Sequence, residues 1–136
     1  MNEALLLVAH GSPDPDWRAP LERIHTRLRT LAPQRRVELA YMEFLEPSIA
    51  HAAAKLVDEG FTQIRVVAML LSGGGRHFKR DIPALVATVA AQHTSARIYL
   101  DPAAIGTYAS IIEAMATQLL DLPSLSPSGE LLPGRG

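Results

Sequence analysis

The chain alternates four times between a short apolar run and a longer amphipathic one. This alternation restricts the folds open to it more than any other feature. Leu5 to Ala9 is a continuous apolar run, as a strand covered on both faces requires. Trp17, Leu21, Ile24, Leu28 and Leu31 then recur at spacings of four, three, four and three, one face of an amphipathic helix. Asp14-Pro15 reads as an N-cap with Pro at the first helical position, and Pro20 either kinks that helix or marks its true start. Val37 to Phe44 reads as a second strand. Pro47 opens a second helix with Ile49, Ala52, Ala53, Leu56 and Val57 on its inner side, and Gly60 ends it. Ile64 to Leu71 is a third strand, and Ile82, Leu85, Val86, Val89 and Ala90 mark a third helix. Ala96 to Leu100 and Gly106 to Leu120 add a short strand and a fourth helix, with Ile111, Ile112, Met115 and Leu119 apolar. This (βα)4 order predicts an α/β fold: a three-layer α/β/α sandwich around a mainly parallel, four-stranded sheet.

A chain of 136 residues fits one domain, expected over residues 1–121. Residues 122–136 turn to Pro, Ser and Gly with few large apolar side chains, the composition of a disordered tail. The chain has no Cys, which excludes disulfides, thiolate catalysis and thiolate-held metals. A net charge of -1 gives no basic field for nucleic acid, and 5% aromatics is too few for a base-stacking platform. No apolar run approaches the roughly 20 residues that cross a bilayer, so no membrane role is expected. Met1-Asn2-Glu3 leads directly into a strand without a basic region or cleavage site, so a cytoplasmic protein is expected.

In a parallel sheet every strand-to-helix loop opens at one edge, where α/β proteins bind ligands. That edge gathers His10, Gly11 and Ser12 from the first loop, Glu43 and Glu46 from the second, and Ser72 to Asp81 from the third. Two imidazoles on a glycine-lined rim suit a divalent transition metal or proton transfer. Gly11-Ser12 marks a close approach to something. Gly73, Gly74 and Gly75 form a run that turns backbone N–H groups toward an anion or a flat ligand, with His77 reaching over it. Neither a Walker loop nor a dinucleotide fingerprint fits these glycines. Arg76, Lys79 and Arg80 beside them suit a polycarboxylate or phosphate. Glu43 is the candidate for proton transfer or metal contact, whereas Glu46 reads as a helix-start charge. His25, His51 and His93 read as structural.

Three segments, Leu6-Leu7-Val8-Ala9-His10-Gly11-Ser12, Met42 to Ser48, and Leu70 to His77 with Asp81-Ile82-Pro83, resemble the CbiX/SirB sirohydrochlorin chelatases in order and spacing. The resemblance runs from about Leu5 to Leu120 and has the length of the family's short form. It implies a class II chelatase fold and ATP-independent insertion of Co2+ or Fe2+, or Ni2+ in some short forms, into sirohydrochlorin. It places the metal-handling histidines at His10 and His77, implies no organic cofactor, and implies a homodimer. The triple glycine followed by Arg76 departs from many relatives.

Such chemistry needs a ligand set that releases its metal, a base for the pyrrole protons, and a rim that grips carboxylates. His10 and His77 are assigned to metal delivery and proton abstraction, and Glu43 to a secondary base. Gly11, Ser12, Gly73, Gly74, Gly75, Arg76 and Lys79 are assigned to the macrocycle. A non-catalytic metal or tetrapyrrole carrier fits the same residues. A histidine phosphatase fits less well, because Ala9 stands where Arg is wanted before the nucleophilic His.

Overall fold

The structure, a computed structural model, describes residues 3–133, with the side chain of His77 outside the described set. The strands are β1 (Glu3–Ala9), β2 (Val37–Tyr41), β3 (Gln63–Ala68) and β4 (Arg97–Leu100), and the helices are α1 (Ala19–Leu31), α2 (Ile49–Asp58), α3 (Ile82–Gln92) and α4 (Ala109–Leu120). The sheet is parallel throughout, in the order β2-β1-β3-β4. β1 is central, with Leu5 beside both Val37 and Arg65, and this position makes it apolar on both faces.

The pleat separates the two faces. Ala4, Leu6 and Val8 of β1 join Ile64, Val66 and Ile98 on one face, under Ile49, Ala53 and Leu56 of α2 and Ile82, Val86 and Val89 of α3. Leu6, Leu56, Ile64 and Ile82 are fully buried there. Each such side chain contributes about 1.5–3 kcal/mol of transfer free energy. On the other face α1 lies over β2, where His25 Nε2 donates to the Val37 carbonyl at 2.8 Å and Trp17 meets the edge of Tyr41.

α1 starts at Ala19 with Pro20 in its first turn, so this proline marks the start and puts no kink in the helix. β2 stops at Tyr41, short of Phe44, because the chain turns away and Phe44 takes a positive φ of 69°. β3 stops at Ala68, short of Leu71, and α3 is entered through a π-helical turn, His77–Asp81. α4 begins at Ala109, because Ile105–Thr107 first form a 3-10 turn. No residue of α1 or α4 is buried. The stretch expected to be a disordered tail contains a local hairpin, in which Ser126 N–H donates to the Glu130 carbonyl at 2.7 Å and Leu132 N–H to the Ser124 carbonyl at 2.8 Å. Gly129, at φ 88°, supplies the left-handed residue that this turn needs. Among the described residues no helix is long and apolar enough to cross a membrane.

Candidate functional site

Parallel strands deliver all four C-terminal ends to one rim. His10 follows β1 at its centre. Glu43 follows β2 on one side, and Leu71 and the glycine loop follow β3 on the other. The adjacency of β1 and β2 continues past the strands, with Met42 N–H donating to the Ala9 carbonyl at 2.9 Å and Glu43 N–H to the His10 carbonyl at 3.1 Å. This locks the two loops side by side.

Gly11 makes that closeness possible. It is buried, at φ 101°, and a Cβ there would stand 1.8 Å from the Glu43 carbonyl oxygen. The close approach expected of Gly11, there assigned to the macrocycle, is therefore to the protein's own backbone. Ser12 is half-buried, and its Oγ accepts from Asp14 N–H at 3.1 Å in a local turn.

His10 Nδ1 lies 3.0 Å from the Gly11 carbonyl, and its Nε2 lies 3.0 Å from Glu43 Oε1. A carbonyl only accepts, so Nδ1 carries a proton. Nε2 then has two states. In the imidazolium it donates to Glu43. In the neutral ring its lone pair and the carboxylate face each other, and a cation between them relieves the clash. Two donors about 2.0–2.2 Å from a metal and at right angles to one another stand about 3.0 Å apart, so the observed separation equals one edge of a coordination shell. His10 and Glu43 keep 35% and 50% of their side-chain surface exposed, so the pair is reachable from solvent.

Across the rim, Ser72 Oγ accepts from Gly74 N–H at 3.0 Å and tightens the glycine loop. A Cβ at Gly73 would come into ordinary contact with Phe78 and Thr107, while Gly74 and Gly75 are exposed and Gly75 sits at φ 83°. The backbone of His77 begins the π-helical turn that follows, and its side chain lies outside the described set. Arg76 and Lys79 are exposed, and among the described residues neither forms an ion pair.

Two rim residues are not evident from the sequence. Phe44 is 65% exposed in a left-handed backbone conformation that is costly for a bulky side chain, and Leu71 is 70% exposed. They lie beyond the ends of β2 and β3, the two neighbours of the strand that His10 follows. Leu71 reads as the last residue of the third strand, and nothing around Phe44 signals a positive φ.

Asp101, at the end of β4, is buried and accepts from Tyr108 Oη at 2.5 Å, Ala103 N–H at 3.1 Å and Arg65 at 3.3 Å. The Tyr108 hydroxyl, above all, holds the Asp101 carboxyl below its ordinary range, and that bond pushes the Tyr108 hydroxyl up. Glu46 caps the start of α2, accepting from Ser48 N–H and pairing with His51; the His51 bond is the main reason its carboxyl lies below the usual range. His25 is held by the Val37 carbonyl, and His93 ends α3.

A family model described as CbiX matches residues 4–122. The sirohydrochlorin cobaltochelatase of Sulfolobus acidocaldarius is 44% identical over 79 residues, 58% of this chain and 62% of that protein. The sirohydrochlorin cobaltochelatase of Methanocaldococcus jannaschii is 39% identical over 93 residues, 67% of this chain and 63% of that protein. The chain thus spans less than two thirds of the length of these curated relatives. Among solved structures, a cobalamin (vitamin B12) biosynthesis CbiX protein from Marinobacter aquaeolei superimposes with TM-score 0.71 at 27% identity, over 87% of this chain and 92% of that one. The sirohydrochlorin chelatase SirB from Bacillus subtilis subspecies spizizenii, in complex with cobalt, superimposes with TM-score 0.77 at 28% identity, over 90% of this chain and 52% of that one.

Proposed function

The chain belongs to the CbiX family, and from that premise we propose that it is a sirohydrochlorin chelatase, inserting Co2+, Fe2+ or Ni2+ into the macrocycle in the cytoplasm without ATP or an organic cofactor. The single observation that carries this reading is the 3.0 Å meeting of His10 Nε2 with Glu43 Oε1 on an open rim. One place serves either a proton or a divalent ion. The Gly11 carbonyl fixes the ring tautomer, so the lone pair of the neutral ring is aimed at the exchange point.

The reaction replaces two pyrrole protons by one M2+. His10 and Glu43 offer the ion to the macrocycle, and once it leaves, the vacated Nε2 accepts a proton. His77, across the rim, is assigned the same two duties. Phe44 and Leu71 offer apolar contact to the flat ring. Arg76, Lys79 and the glycine loop Gly73 to Gly75, whose Gly74 N–H is held by Ser72, face its carboxylates, with Ser12 at the margin. A single rim is open on one side, and small-molecule sites bury about 70–90% of a ligand, so the second wall comes from a second copy of the chain.

Anaerobic incubation with sirohydrochlorin and each metal tests this by the absorption change on metallation. His10→Ala, His77→Ala and Glu43→Gln are expected to slow insertion by roughly 10²–10⁴-fold for the principal base and less for the secondary one, with circular dichroism unchanged. Stoichiometric binding of metal or macrocycle without turnover would leave a carrier instead.

A further inference from the structure

β3 ends at Ala68, and the chain after it leads along the rim into the glycine loop and His77. Met69 N–H still donates to the Val8 carbonyl at 2.7 Å, and Leu70 still packs against the core. Leu71, by contrast, is 70% exposed and gains little from burial. Its place, and with it the start of the glycine loop, has to be set by backbone contacts.

Those contacts come from the chain after β4. Gly106, buried in the turn Ile105–Thr107, donates its N–H to the Leu70 carbonyl at 3.0 Å. It lies so close that a Cβ there would stand 2.2 Å from the Leu71 carbonyl oxygen and 2.5 Å from its Cα. A Cβ at Gly73 would in turn touch the Thr107 methyl at 3.8 Å. The turn Ile105–Thr107 is thus a backstop for residues 70–73.

One carboxylate holds the backstop closed. Asp101 Oδ1 accepts from Ala103 N–H at 3.1 Å at one end of the loop and from Tyr108 Oη at 2.5 Å at the other. Asp101 is itself fixed to the sheet. Its N–H donates to the Val66 carbonyl at 2.8 Å, and its Oδ2 accepts from Arg65 at 3.3 Å, whose Nε lies 3.4 Å from Glu3. Asp101 is buried, whereas Tyr108 is 40% exposed. A ring that open adds little to the core, so the tyrosine's main contribution is its hydroxyl.

We propose that Asp101 and Tyr108 are a positioning pair: their bond clips residues 102–108 into a backstop that sets residues 70–75, and through them His77, for metal transfer. The role of the clip in the reaction rests on the chelatase reading, and the clip itself does not. Without the hydroxyl the turn is free to swing away from Leu71, and the backbone ahead of His77 follows it. Arg76 and Lys79 have long side chains that can track such a shift, whereas an imidazole on a single methylene cannot. Turnover should therefore suffer more than affinity for the macrocycle.

Two measurements on the full chain test this. In the first, native-state amide hydrogen exchange of Tyr108→Phe is followed by NMR with neither metal nor macrocycle present. The Gly106 and Thr107 N–H groups are expected to exchange roughly tenfold faster, as loss of one hydrogen bond allows. Met42 and Glu43 N–H, which tie the first two loops together, should keep wild-type rates. An unchanged rate at Gly106, or an equal rise at all four, would overturn the clip. In the second, metallation is measured over a range of sirohydrochlorin concentrations. Tyr108→Phe is expected to lower kcat by roughly 10- to 100-fold, the effect of a small misplacement, with KM changed less than about twofold. That loss should vanish in a His77→Ala background and persist in a His10→Ala background. A loss of equal size in both backgrounds, or a raised KM with kcat unchanged, would overturn positioning through His77. Gly106→Ala pushes the same backbone from the other side, so its effect on kcat should combine with that of Tyr108→Phe to less than their product. Full multiplication would count against a shared backstop. A wild-type protein that inserts no metal would refute the chelatase reading and leave the exchange rates to decide the clip.

Discussion

Gly11 and Gly60 form a matched pair for separating backbone strain from steric overlap. Their φ angles are 101° and 98°, so an alanine at either position is held at a positive φ that L-residues disfavour. At Gly60 nothing lies within 4 Å of the new methyl, whereas at Gly11 it meets the Glu43 carbonyl oxygen at 1.8 Å. The left-handed conformation costs an L-residue about 1–2 kcal/mol, and that is the whole expected effect of Gly60→Ala. At Gly11 the overlap is with backbone, so no rotamer change relieves it. The loop carrying Glu43 must withdraw by well over an ångström, and overpacking of this kind adds about 1–3 kcal/mol. Gly11→Ala is therefore expected to lose about 2–5 kcal/mol in all. A loss in the lower part of that range leaves the protein folded, against a native stability of about 5–15 kcal/mol. For a domain of this size each kcal/mol lowers Tm by about 2–8 °C.

The overlap also has a chemical consequence, because the withdrawn residue is Glu43. Separating its carboxylate from His10 Nε2 should impair metallation in Gly11→Ala well below its melting temperature, while Gly60→Ala stays at wild-type rate. Thermal unfolding followed by circular dichroism, with metallation rates at 25 °C, measures both effects. Equal Tm losses in the two variants would refute the steric argument. A Gly11→Ala protein that is destabilised but fully active would show that the His10–Glu43 contact is not needed.

Rim contacts with macrocycle should separate by salt dependence. Arg76→Ala and Lys79→Ala are expected to raise KM several-fold at low salt and much less at high salt, because exposed charges are screened over about 8–10 Å near physiological ionic strength. Phe44→Ser and Leu71→Ser should raise KM at both salt concentrations, and an unchanged KM in all four would remove these residues from the site. Asp101 makes a prediction about acid. Its folded carboxyl lies below the ordinary value, so the unfolded chain binds more protons and stability falls as pH drops below about 4. Tyr108→Phe removes the main cause and should cost about 1–3 kcal/mol at pH 7 with a shallower loss below pH 4, as urea unfolding at both pH values would show.

The element order was legible because each strand and helix carries its own period, which needs no knowledge of its neighbours. The boundaries at Tyr41 and Ala68 were not, because apolar residues run past the last strand position in both cases. Phe44 and Leu71 are exposed at the rim, and hydrophobicity alone assigns them to strands. Gly106 is required by the Leu71 carbonyl, a contact between loops far apart in sequence. α4 departs in the other direction, because its apolar stripe predicts burial and none of its residues is buried.

His10 illustrates what a sequence reading reaches at a site and where it stops. The His-Gly-Ser that ends β1 marks the position, and parallel topology brings Glu43 to the same rim. Their contact needs two further facts that no single sequence period encodes. β2 must be the direct neighbour of β1, in the register that sets Ala9 beside Tyr41. Gly11 must also leave room for the Glu43 backbone to close in. With both in place the carboxylate meets Nε2 while the Gly11 carbonyl holds Nδ1. The tautomer is thus set by a backbone carbonyl, an atom that every residue has and no motif can mark.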